Sequence, residues 1–303
     1  MDTPSDQPNP RLLVASDFSR SADEAVRQAH AWALRLGADL HALHVASQLL
    51  PLHPLFPEHQ QRDVSDLVTL ERRLGENLSD RIQRLTERAP DSFNVDVDYG
   101  NPYAAIVRRA EELSAVLVVV GSTGATDIER VRLGSVAEKV VRYAHCSVLV
   151  TRPPSGGSLV LAGTDLSDPA LPAIHAAARE AEARRTDLVV FHDVEVFSTL
   201  ASGLGVLGPV PIGPSEQSLE QVRRAAIRVM EGQLDRLGVE GQIRVTVEGN
   251  PAAAIIRAAD ELQADLVVVA TLGRTGLSRL APGSIAEAVV RGAHCSVFVV
   301  RAD

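Results

Sequence analysis

Residues 134–152 read GSVAEKVVRYAHCSVLVTR, and residues 283–301 read GSIAEAVVRGAHCSVFVVR. The second stretch follows the first at an offset of 149 residues, 283 against 134. The same offset carries Gly100-Asn101-Pro102 onto Gly249-Asn250-Pro251. Near the start, LLVASDFS (12–19) recurs as LVLAGTDLS (159–167), which pairs Asp17 with Asp165. A unit of that length is a domain and not the short repeat of a solenoid. The chain is therefore one domain written twice, and its 303 residues agree at about 150 residues per domain. The joint, RPPSGGS (152–158), has the Pro/Gly/Ser chemistry of a linker. These boundaries predict a disordered tail at 1–10, a first domain at 11–152, a linker at 153–157 and a second domain at 158–303.

Each copy alternates strand and helix patterns. In the first, RLLVA (11–15) is a short apolar run. A helical pattern follows, with Ser19 or Ser21 as cap and Gly37 as terminator. ADLHALHVA reads as a strand, 63–89 as a long amphipathic helix, and FNVDVDY as a half-buried strand of period two. NPYAAIVRRAEELS is a helix with Pro102 in its first turn, where the missing N–H costs nothing. AVLVVVG is apolar throughout, as a central parallel strand covered on both faces must be. GSVAEKVVRYA and CSVLVTR supply a last helix and strand. The order β-α-β-α-β-α-β-α-β, met twice, predicts an α/β fold of two tandem Rossmann-like, doubly wound domains. Each has a five-stranded parallel sheet with helices on both faces. Ligands on such sheets lie beyond the carboxyl ends of the strands, where the strand order reverses.

Composition narrows the chemistry. Hydrophobic residues make up 45% of the chain and charged residues 23%, ordinary values for a packed domain. A net charge of −9 opposes a broad basic surface, so no nucleic-acid partner is expected. Lys139 is the single lysine, and the P-loop pattern is absent. Two cysteines cannot form a disulfide framework. No run approaches the roughly 18 apolar residues of a membrane span. The polar N-terminus MDTPSDQPNP is unlike a signal peptide. The expectation is a cytoplasmic protein without a membrane partner.

One motif points to an anion. Gly121-Ser122-Thr123-Gly124 follows the fourth strand, and Gly134-Ser135 opens a helix nine residues beyond Gly124. Glycines admit close backbone approach and positive φ. A helix start offers unpaired N–H groups and the positive end of its dipole. Asp17 ends the first strand beside the same crevice, where a carboxylate can accept from ribose hydroxyls. Glycines between strand and helix would also serve as a plain turn; their combination with Asp17 and Ser135 separates the two readings.

With Asp17-Phe18-Ser19, Asp165-Leu166-Ser167, the spaced glycines and the closing G-S-[VI]-A-E runs, nearly the whole chain resembles two tandem domains of the universal stress protein family. In ATP-binding members the first-strand Asp meets the nucleoside, and the residue after a strand-two His lines the adenine. The glycine motif and its Ser hold ribose and phosphates. The resemblance assigns these roles to Asp17, Val45 (after His44), Gly121, Gly124, Gly134 and Ser135. In the second copy it assigns them to Asp165, Gly273, Gly283 and Ser284. It implies ATP as ligand, with Mg2+ or Mn2+ on the phosphates. It also implies self-association by pairing of the two domains through their last strands, and the apolar loops 49–59 and 196–214, left as a second surface, add the expectation of a homodimer.

The second copy departs from the pattern. Ala270 replaces the first glycine, Pro282 precedes Gly283, and Asp193 follows His192 where the first copy has Val45. Arg274 and Arg279 favour phosphate there, whereas the first copy carries Asp127 and Glu129. The glycines rank the first copy ahead. Gly203-Leu204-Gly205-Val206-Leu207-Gly208 fits G-x-G-x-x-G but neither follows a strand directly nor opens a helix, so it reads as loop. The apolar stretches 49–59 and 196–214 read equally as covers of the crevice, partner surfaces or plain loops. One His and one Cys per copy, His145-Cys146 and His294-Cys295, are too few for a metal site. The leading expectation is a regulatory ATP-binding stress protein. A scaffold without nucleotide and a slow ATPase are the alternatives; no catalytic constellation can be placed at the crevice.

Overall fold

The computed structural model describes residues 9–46, 64–124, 133–195, 215–271 and 284–301, with the backbone alone for 64–67 and 284. Outside it fall tail residues 1–8, loops 49–59 and 196–214 with the pattern at 203–208, and the readings placed on Asp127, Glu129, Gly273, Arg274, Arg279, Pro282 and Gly283. The chain divides into two compact units, Met1–Arg152 and Pro153–Asp303.

Unit 1 runs β1 (Arg11–Ala15), α1 (Arg20–Leu36), β2 (Asp39–Ala46), α2 (Val64–Thr86), β3 (Asn94–Tyr99), α3 (Pro102–Glu112), β4 (Leu117–Gly121), α4 (Ser135–Tyr143) and β5 (Ser147–Thr151). Its strands pair in parallel in the order β3-β2-β1-β4-β5. Strands β1 to β3 step one way across the sheet and β4 to β5 the other. Right-handed crossovers in opposite directions put the two helix pairs on opposite faces: α1 packs with α2, and α3 with α4. Covered on both sides, Leu12, Leu13, Val14, Val118 and Val119 are fully buried, which is why β1 and β4 are continuous apolar runs.

Local chemistry sets the helix ends. The Ser19 hydroxyl accepts from the Ala22 N–H at 3.1 Å, so Ser19, and not Ser21, caps α1. Gly37 ends it at φ +59°, where a side chain would be strained. Between the caps Ala22, Ala25, Val26, Ala29, Trp32 and Ala33 recur at three- and four-residue steps and form the buried stripe.

Unit 2 repeats the plan: β6 (Leu159–Gly163), a 3-10 turn at Asp168–Ala170, α5 (Leu171–Arg184), β7 (Asp187–Asp193), α6 (Glu216–Leu237), β8 (Gln242–Thr246), α7 (Pro251–Glu261), β9 (Leu266–Ala270), α8 (Ser284–Gly292) and β10 (Ser296–Val300). Its parallel order is β8-β7-β6-β9-β10. The segment after Arg152 is not a loose tether. The Ser155 hydroxyl donates to the Ala264 carbonyl at 3.1 Å, and a side chain at Gly157 would collide with the Gln263 carbonyl. No helix among the described residues is long and apolar enough to cross a membrane.

Candidate functional site

In unit 1 the strand order reverses between β1 and β4, which opens the crevice at their carboxyl ends. Asp17 leaves β1 in a tightly bonded turn. Its Oδ1 accepts the Ser19 N–H at 3.0 Å, and the Ser16 hydroxyl accepts the Phe18 N–H at 3.3 Å. Phe18 sits in the left-handed region at φ +63°. For a residue with a side chain that conformation costs about 1–2 kcal/mol, so neighbours must hold it. His44 stacks on the Phe18 ring at 4.5 Å, and its Nδ1 lies 2.8 Å from the Ser16 carbonyl. A carbonyl can only accept, so Nδ1 carries the proton. From the other side the Arg81 guanidinium donates to the Phe18 carbonyl at 2.8 Å.

The glycine arm meets the same turn through Ser21, in the first turn of α1. A Cβ on Gly121 would lie 2.5 Å from Ser21 Oγ and 2.8 Å from the Ser21 backbone carbonyl. The Ser21 hydroxyl also accepts the Thr123 N–H at 3.3 Å. Gly121 is thus required by the approach of α1. It is not required by positive φ, because its backbone lies outside the left-handed region, as does that of Gly134 at φ −74°. Of the two reasons expected for these glycines, close backbone approach and positive φ, the second does not apply to Gly121 or Gly134. The Gly134 N–H donates to the Ser122 carbonyl at 2.6 Å, which fixes the start of α4 beside the exit of β4. The N-cap of α4 is Gly134, which makes no side-chain cap bond, and Ser135 is exposed at that end. Gly124 stands at the edge of the described residues, and Val45 is half-buried next to the end of β2. Asp17, Gly121, Gly134 and Ser135 are therefore brought to one end of one crevice.

Unit 2 keeps the turn and changes the rest. Asp165 Oδ1 accepts from the Ser167 N–H at 3.0 Å and from its hydroxyl at 2.5 Å, and Leu166 lies at φ +66°. His192 Nδ1 lies 2.8 Å from the Thr164 carbonyl, as His44 does from that of Ser16. Where α1 begins at once after Ser19, the 3-10 turn Asp168–Ala170 intervenes before α5 and packs on β9. Ala270 is not in the left-handed region. Asp193 is buried and tied to the edge strand. Its Oδ1 accepts from the Thr246 hydroxyl at 2.8 Å and from the Glu248 N–H at 2.7 Å. The carboxylate the sequence placed near a polyanion thus spends one oxygen on the end of β8. Ser284 opens α8, while Gly273 and Gly283 lie outside the described residues.

Sequence reading missed three contributors. His44 and His192 carry a visible signal, since they recur in the repeat and each fixes the carbonyl before its Asp. Ser21 was considered as a cap and is instead the contact that demands Gly121. Arg81 and Gln233 carry no signal: the residue types differ, and they stand 152 apart where Asp17/Asp165 and His44/His192 keep 148 and the glycine motifs 149.

The profile of the universal stress protein family matches residues 8–152 and again 159–301. A universal stress protein of Mycobacterium tuberculosis is 29% identical over 315 residues, with 96% of each chain covered. One of Methanocaldococcus jannaschii is 32% identical over 144 residues, which span 48% of this chain and 82% of that one. Among solved structures, a universal stress protein from Archaeoglobus fulgidus superposes with a TM-score of 0.67 at 19% identity. That match covers 97% of this chain and 98% of the other and shows a shared fold.

Proposed function

The chain belongs to the universal stress protein family, and from that premise we propose that unit 1 binds ATP and that the bound nucleotide regulates the protein's conformation or its partners. One observation carries the reading. The start of α4, with Gly134 and Ser135, opens at the same end of the sheet as the bonded Asp17 turn. The first offers backbone N–H groups and a helix dipole to phosphate, the second a carboxylate to ribose hydroxyls. Val45 and the end of β2 would line the base, and Gly121 and Gly124 the ribose and phosphates. Among the described residues no group of three or more His, Cys, Asp or Glu side chains could hold a metal ion. In this reading Mg2+ or Mn2+ is carried mainly by the phosphates, as a hard ion with several retained waters can be.

Unit 2 is the weaker site in this proposal. Asp165, Gly273, Gly283 and Ser284 would contribute to it, but the buried Asp193 carboxylate replaces Val45 beside the base position. A cytoplasmic protein that self-associates fits the same reading. Titration calorimetry with ATP and Mg2+ tests it. The expected result is one dominant site, lost in Asp17→Ala with the fold retained. Absence of heat with the unmodified chain, or unchanged affinity in the variant, overturns the assignment.

A further inference from the structure

The turn that carries each Asp is held from outside by one side chain of the long second helix of its unit, and that side chain differs between the copies. In unit 1 the Arg81 guanidinium on α2 donates to the carbonyl of Phe18 at 2.8 Å. The same guanidinium holds both oxygens of Asp23, in the first turn of α1, at 2.5 and 2.8 Å. In unit 2 the Gln233 amide on α6 donates to the carbonyl of Leu166 at 3.0 Å. Phe18 and Leu166 are the two left-handed residues immediately after Asp17 and Asp165. A fork of charge in one copy and a neutral amide in the other thus bond equivalent carbonyls. Their common property is an N–H donor that reaches a carbonyl turned outward by positive φ.

We propose that Arg81 and Gln233 are positioning residues: each locks the Asp-bearing turn of its unit in the shape that presents the carboxylate to the ligand. The inference rests on the nucleotide reading of the crevice and extends it to residues on the long second helix of each unit. The turn's own bonds are short-range ones, Ser19 N–H to Asp17 and Phe18 N–H to Ser16, and can break together if Phe18 relaxes to negative φ. The bond from α2 ties the turn to a separate element from the side opposite His44 of β2, and it is the bond made to the carbonyl of Phe18 itself. Without it the Phe18 carbonyl loses its donor, and the turn that carries Asp17 opens more readily while strands and helices stay in place. The Asp23 ion pair orients the guanidinium and secures α2 to α1; the bond to Phe18 is the part that unit 2 retains.

The test separates these two duties in the full chain. Arg81→Met keeps the packing of the stem and removes both, Arg81→Gln copies unit 2 and restores the carbonyl donor, and Asp23→Asn weakens the ion pair alone. Two readouts are taken: amide exchange at Phe18 and Ser19 relative to Val118–Val120 of β4, and calorimetric affinity for ATP with Mg2+. Loss of the donor in Arg81→Met is expected to speed turn exchange about tenfold and weaken ATP about tenfold, with β4 unaffected. Arg81→Gln should recover most of both, and Asp23→Asn should lower the melting temperature more than the affinity. Gln233→Met should speed exchange at Leu166 and Ser167 in the same way. Turn exchange unchanged in Arg81→Met overturns the proposal, as does an Arg81→Gln chain indistinguishable from Arg81→Met. If the unmodified chain takes up no ATP, the nucleotide reading falls by itself, and turn exchange still decides whether Arg81 holds the turn.

Discussion

Asp193 accepts the backbone N–H of Glu248 at 2.7 Å, and so the end of β7 is stitched to the chain leaving β8. In unit 1 the corresponding register pair is Val45 and Asp98, with the carboxylate on the other strand. There Asp98 is engaged by the Tyr99 N–H and by Arg108 and bonds nothing across to β2 among its described contacts. The two crevices differ in how the base-side strand is held, not only in one residue type.

Asp193→Val, which would make unit 2 resemble unit 1, should therefore destabilise the protein. It removes the partner of the half-buried Thr246 hydroxyl and of the Glu248 N–H, at about 1 kcal/mol for a typical hydrogen bond lost. Urea unfolding measures this, and faster exchange of the Glu248 amide locates it. An unchanged midpoint would show that solvent satisfies both donors.

Ser135→Pro tests the helix terminus without damaging the helix. Proline is well tolerated at the first helical position, and Gly134 at φ −74° and ψ 151° already has the extended backbone that precedes a proline. The substitution removes one N–H and one hydroxyl from the phosphate position. ATP affinity is expected to fall about tenfold, by roughly two hydrogen bonds' worth, with the melting temperature nearly unchanged. Equal affinity would remove α4 from the site.

Gly121→Ala should cost stability where Ala270→Gly does not. The added methyl meets Ser21 Oγ at 2.5 Å and Ser21 backbone at 2.8 Å, so α1 must shift, at about 1–3 kcal/mol for overpacking. In unit 2 the 3-10 turn precedes α5, and the alanine is native. Paired chemical denaturation of the two variants, with opposite or unequal shifts, checks the asymmetry.

Acid should weaken unit 1 through two histidines. Burial, with Arg88 beside it, lowers the pKa of His30; burial is also the leading cause for His41. The Nδ1 atoms of both are buried without a hydrogen-bond partner. The unfolded chain thus binds protons at a higher pH than the folded one. Stability is complete above the ordinary histidine value of 6.5 and declines as pH falls from there toward the lowered folded values. Urea midpoints at pH 7.5 and 5.5 should differ, and His30→Ala, the residue type of Ala178 in the second copy, should flatten the slope. A slope unchanged in that variant would assign the acid sensitivity elsewhere.

Much of the architecture was legible because it follows from local rules repeated twice. The 149-residue echo set the number of domains, period-two and apolar runs marked strands, and Ser19 and Gly37 marked the ends of α1. The Asp17 turn and the start of α4 were legible as pieces because each is a short contiguous motif. What remained hidden were the contacts made at a distance along the chain. Gly121 reads as a conformational glycine and proves to be a steric one, because Ser21 arrives from a helix 100 residues earlier.

By itself, then, the sequence determined two α/β domains, their alternation of strand and helix, and the residue types gathered at the carboxyl ends of β1 and β4. Those depend on periodicity, capping and short motifs, which are properties of neighbours in the chain. Only the tertiary structure decided that Asp193 turns an oxygen to Thr246 and Glu248, and that Ser21 forbids a side chain at Gly121. It also decided that Arg81 and Gln233 reach equivalent carbonyls, of Phe18 and Leu166, from helices of different register. Such choices depend on which groups are left without water when helices and sheet close on one another, and a one-dimensional pattern does not encode that geometry.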